Sequence, residues 1–327
     1  MNTSSEKKIE KPGIIQAFLA GFNTIANHPY LIAIPILLDL FFWFGPAWRI
    51  DGFFQPVFQS LSTLPGLNTS ESIEMLNSLK SIWAEIIANF NFALTIKTLP
   101  IGVPSLMVSK PSFSNPLGST PIFNLDSNFQ VFGFWVLFLL LGLFLAYVYF
   151  QNISKQIIDT TNGNGFKSWL RTFSQIVLIP IVFIIILLIL SIPVILFITV
   201  ISVISQAMST FMFLIIGVII LWILMPLIFT PHGIFLYKQN LLSAMMTSIK
   251  VVRVSMGQTT WFLLLAIVLI EGMDYLWRKP PVDNWFLAIG IFGHAFVVSG
   301  VIAASFHYFL DATKFTQTIM AKNIKAA

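Results

Sequence analysis

The sequence predicts an all-α integral membrane protein: six transmembrane helices arranged as three hairpins with cytoplasmic interfacial helices, plus a small external helix-and-loop segment between spans one and two. Three observations predict it. Several stretches are apolar and uncharged over the roughly 20 residues needed to cross a bilayer; residues 178–200 read LIPIVFIIILLILSIPVILFITV. Charged residues make up only 9% of the 327 residues and mean hydropathy is +0.86, against about 25% charged in an ordinary soluble domain. Third, the cations are distributed unevenly between the two sides that alternating spans define.

In chain order the spans are expected at residues 30–48, 130–150, 175–202, 211–230, 260–277 and 285–309. Trp48, Tyr147, Tyr149, Trp261, Trp277 and Trp285 stand near span ends, as interfacial anchors do. The first apolar run follows Lys7, Lys8 and Lys11 but ends in Gly45-Pro46-Ala47-Trp48 without a small-x-small cleavage pattern, so it reads as a retained span. With the N-terminus inside, twelve of the 18 Lys and Arg residues fall on the inner side. The other six, Arg49, Lys80, Lys97, Lys110, Arg278 and Lys279, are spread over longer outer stretches. The positive-inside rule then places both termini in the cytoplasm, with the protein integral to a plasma membrane, bacterial by the resemblance given below.

A short amphipathic segment precedes each hairpin: residues 14–27 (IIQAFLAGFNTIAN), 166–173 (FKSWLRTF) and 241–256 (LLSAMMTSIKVVRVSM). In the third, Leu242, Met245, Met246, Ile249 and Val252 recur at helical spacing while Lys250 and Arg253 face elsewhere. That pattern suits a helix lying in the interface, its basic face toward anionic head groups. The whole chain is one polytopic membrane domain.

Residues 49–129 form an external insertion. An amphipathic helix is expected over about 70–97, with Asn68 and Glu71 as a capping-box-like start and Ile73, Leu76, Leu79, Trp83, Ile86, Phe90 and Leu94 as its apolar stripe. A Pro-rich loop follows over about 98–121. Pro100, Pro104, Pro111, Pro116 and Pro121 exclude a helix there. Long ordered loops are commonly functional, so Pro100, Pro104, Pro111 and Pro116 are the candidate surface for a protein partner.

Few residues could carry chemistry. Asp39 lies mid-depth in the first span, where a carboxylate costs about 2.5–3.5 kcal/mol. It is expected either to serve a coupled polar site or to bond a Ser, Thr or Asn of a neighbouring span. Glu271 and Asp274 share a helix face, and Asp274 with Arg278 has the favourable i,i+4 order; Glu271 is expected to be the deeper of the two acids. His294 could meet Glu271 or Asp39, so Asp39, Glu271 and His294 form the candidate intramembrane polar site. His307 and Asp311 are expected to bond at a helix end, and His28 and His232, each beside a proline, to punctuate turns. Gly290, Gly293, Gly300 and Ala304 give the last span a small-residue face for close packing, and Gly142 and Ala146 do so on the second.

The net charge of +5 does not imply nucleic acid, because the cations are not clustered with stacking aromatics. With no Cys there is no thiolate site or disulfide. No zinc-protease His pair, phosphate loop or serine elbow occurs, so neither a metal nor another cofactor is expected, and the chain reads as non-enzymatic. The expected function is a scaffold or accessory subunit of a membrane complex; the alternative is a permease or lipid-handling transporter using the intramembrane acids.

The stretches AFLAGFNTIANHPYLIAIPILL, SWLRTFSQIVLIPIVFIIIL and SAMMTSIKVVRVSMGQTTWFLLL carry a resemblance. In them the chain resembles uncharacterised six-span bacterial membrane proteins and is similar to the membrane domain fused to some glycerophosphodiester phosphodiesterases. The resemblance covers the spans alone. The catalytic phosphodiesterase domain has no counterpart here, so it implies no activity, and the Pro-rich insertion departs from its pattern.

Overall fold

A bend of 93° between the first two helices sets the shape of the N-terminal end. The computed structural model describes residues 11–53, 56, 60, 70–110, 113–158 and 165–326. Helix α1 (Ile14–Asn27) buries Ala17, Phe18, Gly21 and Ile25 on one face. Pro29, which lacks an N–H, opens a 3-10 turn (Pro29–Ile32) and redirects the chain into α2 (Ala33–Phe44). At 1.5 Å per residue, α2 is about 18 Å long, short of a hydrocarbon core of about 30 Å. It stops at Gly45-Pro46, before strand β1 (Ala47–Arg49).

The insertion begins there. Helix α3 (Ser70–Asn89) ends eight residues before the expected 97. The reason is Asn91, whose side-chain oxygen accepts from Ala93 N (3.1 Å) and from Trp48 N (3.0 Å). Asn bonded to its own backbone stops one helix and starts the next turn, here a 3-10 turn over Phe92–Ile96. The proposed capping role of Asn68 lies outside the described residues. A second 3-10 turn covers Met107–Ser109, followed by the hairpin β2 (Ser114–Asn115) and β3 (Gly118–Ser119), with Gly118 at φ 121°. Strand β4 (Ile122–Asn124) pairs in parallel with β1, matching Trp48 to Phe123.

Then come the long helices. Helix α4 (Asn128–Ile157) opens on a capping box, Ser127 with Gln130. Helix α5 (Phe166–Ile204) runs unbroken for 39 residues. The expected separate interfacial segment at 166–173 is therefore the first part of α5, because no Gly or Pro separates it from the apolar run and Ser174 between them bonds back to Arg171 O within the helix. Helix α6 (Gln206–Leu224), capped by Ser205, continues through a 3-10 turn at Met225–Leu227 into α7 (Thr230–Tyr237). Asn240 caps α8 (Leu241–Val254), and α9 (Met256–Trp277) and α10 (Leu287–Ala326) complete the described chain. Among the described residues, five helices are long and apolar enough to cross a membrane, counting α6 through α7 as one, or six if the bent α1–α2 pair is one span.

Helix α10 is the centre. It packs on α1, α2, α4, α8 and α9. Its glycines make the approach possible: a Cβ at Gly293 would sit 2.6 Å from the Trp277 ring, and one at Gly300 2.5 Å from Phe22. Across from Ala304, a Cβ on Gly21 would meet the Ala304 backbone nitrogen at 2.3 Å, so α1 and α10 touch backbone to backbone. By contrast α5 and α6 pack chiefly on each other and leave residues such as Leu188, Ile192, Phe213 and Val218 exposed.

Candidate functional site

The Pro-rich segment does not arch away from the helices. It descends among them. A Cβ on Gly142 would lie 1.9 Å from the Ile96 carbonyl oxygen. Gly142 is about 21 Å along α4 from Asn128 at 1.5 Å per residue. Irregular backbone at such depth is tolerated where protein covers it, and Ile101, Val103, Leu106 and Met107 are all buried.

Asp39, fully buried on α2, holds this segment in place. Its carboxylate accepts from Ser105 Oγ (2.5 Å), Leu106 N (3.0 Å) and Met107 N (3.0 Å). Three donors on one carboxylate offset part of its desolvation. The partner expected on a neighbouring span is thus on the insertion. Lys110 Nζ donates to the carbonyls of Arg278 (2.7 Å) and Pro280, and Trp43 Nε1 donates to Val282 O (2.7 Å). These bonds fasten the insertion and the end of α2 to the α9–α10 connection.

Beside this contact lies an ionic cluster. On α9, Asp274 is buried and Glu271 is exposed, because the face turned to α10 is the one that carries Asp274. Asp274 accepts from Arg278 Nη2 (2.8 Å) and lies 2.6 Å from His294 Nδ1, which donates to it. Glu271 reaches only the Arg278 guanidinium, at 3.8 Å. Lys97 is half-buried near Asp39, Asp274, Arg278 and Glu271. It makes no hydrogen bond or ion pair among the described residues.

The three residues expected to form one polar site therefore gather in one region but bond different partners: Asp39 the insertion, His294 Asp274, and Glu271 Arg278. Lys97 and Ser105 had no signal in the sequence, since their roles depend on the descent of the loop. Asp274 had one: the four-residue spacing to Arg278. His307 bonds Thr24 of α1 (3.0 Å) and not Asp311. His232 lies inside the start of α7, buried against Phe229, Phe306 and Phe309, with Nε2 2.7 Å from Ser305 Oγ; it does not punctuate a turn. Among the described residues no three His, Asp or Glu side chains could hold a metal ion.

Of the prolines considered as a partner surface, Pro104 is buried within the chain, Pro116 is half-buried, and Pro111 lies outside the described residues. Pro100 is exposed, and it lines the second feature of the site. This is an apolar cleft of about 600 Å³ between α5, α6 and α9, walled by Val182, Val218, Trp222, Leu263 and Leu264 and open along one side. Its volume falls within the roughly 300–1,000 Å³ of small-molecule sites.

No family model, curated protein or solved structure matches the chain, so the resemblance of its spans rests on the quoted stretches alone.

Proposed function

We propose that this is a lipid-handling, multi-pass membrane protein that takes a membrane lipid sideways into the cleft between α5, α6 and α9. In this reading the bent α1–α2 pair, α4, α5, α6, α9 and α10 are the spans, α8 lies toward the cytoplasmic interface, and both termini are cytoplasmic in a plasma membrane. The excess of Lys and Arg on that side supports the orientation. No bond-making step is assigned to it.

The observation that carries the reading is the cleft itself. Its walls are apolar, it opens beside the exposed apolar faces of α5 and α6, and the insertion contributes Pro100 to its lining. In a bilayer the molecules facing that opening are lipids. Asp39 is not offered as a transport group, because its carboxylate is already occupied by three donors. Native mass spectrometry from nanodiscs tests the proposal: the wild type retains lipid, and Leu264→Trp, which fills the cleft, loses it. Equal retention by both would overturn it.

A scaffold or accessory role is the second reading. Helix α3 keeps Ile73, Leu79, Ile82, Trp83 and Ile86 exposed, an apolar face suited to a partner or to the outer leaflet. Replacing Ile82 and Ile86 with Ser would abolish assembly with a partner under this reading and leave lipid retention unchanged.

A further inference from the structure

We infer that the lipid is an anionic, two-chain phospholipid of the inner leaflet, its phosphate on Arg253 and its chains on either side of Trp222. The inference rests on the cleft being a lipid site and adds the class of lipid.

Two grooves share one wall. Val218 and Trp222 line both the cleft of about 600 Å³ and a second groove of about 510 Å³ formed with Ile219, Ile223 and Pro226. Each groove is apolar and of a size for a chain; a single-chain amphiphile would leave one of them open. Arg253 lines the second groove and, among the described residues, is the one charged residue that lines either. Arg253 sits in the last turn of α8, exposed, with no hydrogen bond or ion pair among the described residues. Lys250, one turn earlier, is likewise exposed and without such a partner. A guanidinium presents a planar fork of donors that matches phosphate geometry. Lining the second groove, on the side where cations accumulate, that fork takes the phosphate, and its unpaired positive charge favours a headgroup of net negative charge over a zwitterionic one. A free anion such as inorganic phosphate would use Arg253 and leave both grooves empty.

The test is native mass spectrometry of the whole chain from nanodiscs of phosphatidylglycerol and phosphatidylcholine in equal amounts, reading which lipid is retained. Phosphatidylglycerol should be enriched about five-fold, the ratio equivalent to the ~1 kcal/mol that one cation contributes near anionic lipid. Arg253→Gln should bring the ratio close to unity, and Arg253→Lys should keep part of it. Lys314→Gln, at an exposed cation of α10, should leave it unchanged. Retention of both lipids in equal amounts by the wild type would overturn the anionic assignment and leave the cleft as a lipid site. Retention of neither would remove the cleft reading itself. Enrichment that survives Arg253→Gln would overturn the role given to Arg253.

Discussion

Asp39 Oδ1 and Ser105 Oγ stand 2.5 Å apart although 66 residues separate them, and this contact pins the insertion into the helical body. The carboxylate and the loop each satisfy what the other would leave unpaired. Asp39 gains three donors, and the backbone N–H groups of Leu106 and Met107, buried beyond the reach of water, gain an acceptor. Removing either partner strands buried polar groups, which cost about 1–3 kcal/mol apiece.

Asp39→Ala should therefore lower stability by about 3 kcal/mol, and Ser105→Ala by about 1 kcal/mol. Their effects should not add, because the second change removes a bond already lost. Unfolding in mild detergent, carried around the full double-mutant cycle, measures this. Strict additivity would mean the two side chains are not coupled.

Gly142→Ala should displace the loop from α4. The new Cβ would fall 1.9 Å from the Ile96 carbonyl oxygen, and that neighbour is backbone, which cannot swing aside. Overpacking of this kind costs about 1–3 kcal/mol. Amide exchange over residues 92–98 should quicken in the variant, while exchange at the α1–α10 contact stays as it was.

Lys110→Met should loosen the insertion from the α9–α10 connection without unfolding the helices. Its ammonium caps the carbonyls of Arg278 and Pro280, and the aliphatic stem of Met keeps the packing but donates nothing. Faster amide exchange at residues 113–126, with the global melting temperature lowered by only a few degrees, is the expected outcome. Unchanged exchange there would show that the bonds of Trp43, from its Nε1 to Val282 O and to its carbonyl from Asn115 Nδ2 (3.3 Å), suffice to hold the insertion.

His294→Ala should destabilise the N-terminal half of α10 by about 2 kcal/mol through the loss of a buried bond to Asp274. Asp274→Asn should cost a similar amount, and the double variant little more than either alone. Glu271→Gln, at an exposed carboxylate 3.8 Å from Arg278, should change stability by less than about 0.5 kcal/mol.

Much of the helical framework was legible in the chain, and the reasons are local. Uncharged apolar runs need no partner to be recognised, and glycines at 290, 293 and 300 mark a face of close approach on any helix. The pair Asp274–Arg278, readable from its four-residue spacing, is present at 2.8 Å. What was not legible depends on distant contacts. Strands β1 and β4 are three residues each and join positions more than 70 apart, so no alternation in either announces the ladder. The unbroken α5 hid its start because a moderately polar stretch and an apolar run give different signals along one continuous helix. The polar site shifted for a related reason. Sequence places Asp39, Glu271 and His294 in spans one, five and six but cannot show which helix face each occupies, nor that a Pro-rich loop descends to meet one of them.

The central claim is that the cleft, and not the mid-membrane carboxylate, holds the lipid. Its most direct test compares Asp39→Asn with Leu264→Trp, taking only molecules that elute as folded monodisperse protein from nanodiscs, by native mass spectrometry. The account predicts that folded Asp39→Asn keeps its lipid and that Leu264→Trp loses it. Loss of lipid in Asp39→Asn with retention in Leu264→Trp would contradict it and would place the ligand at the polar cluster around Lys97.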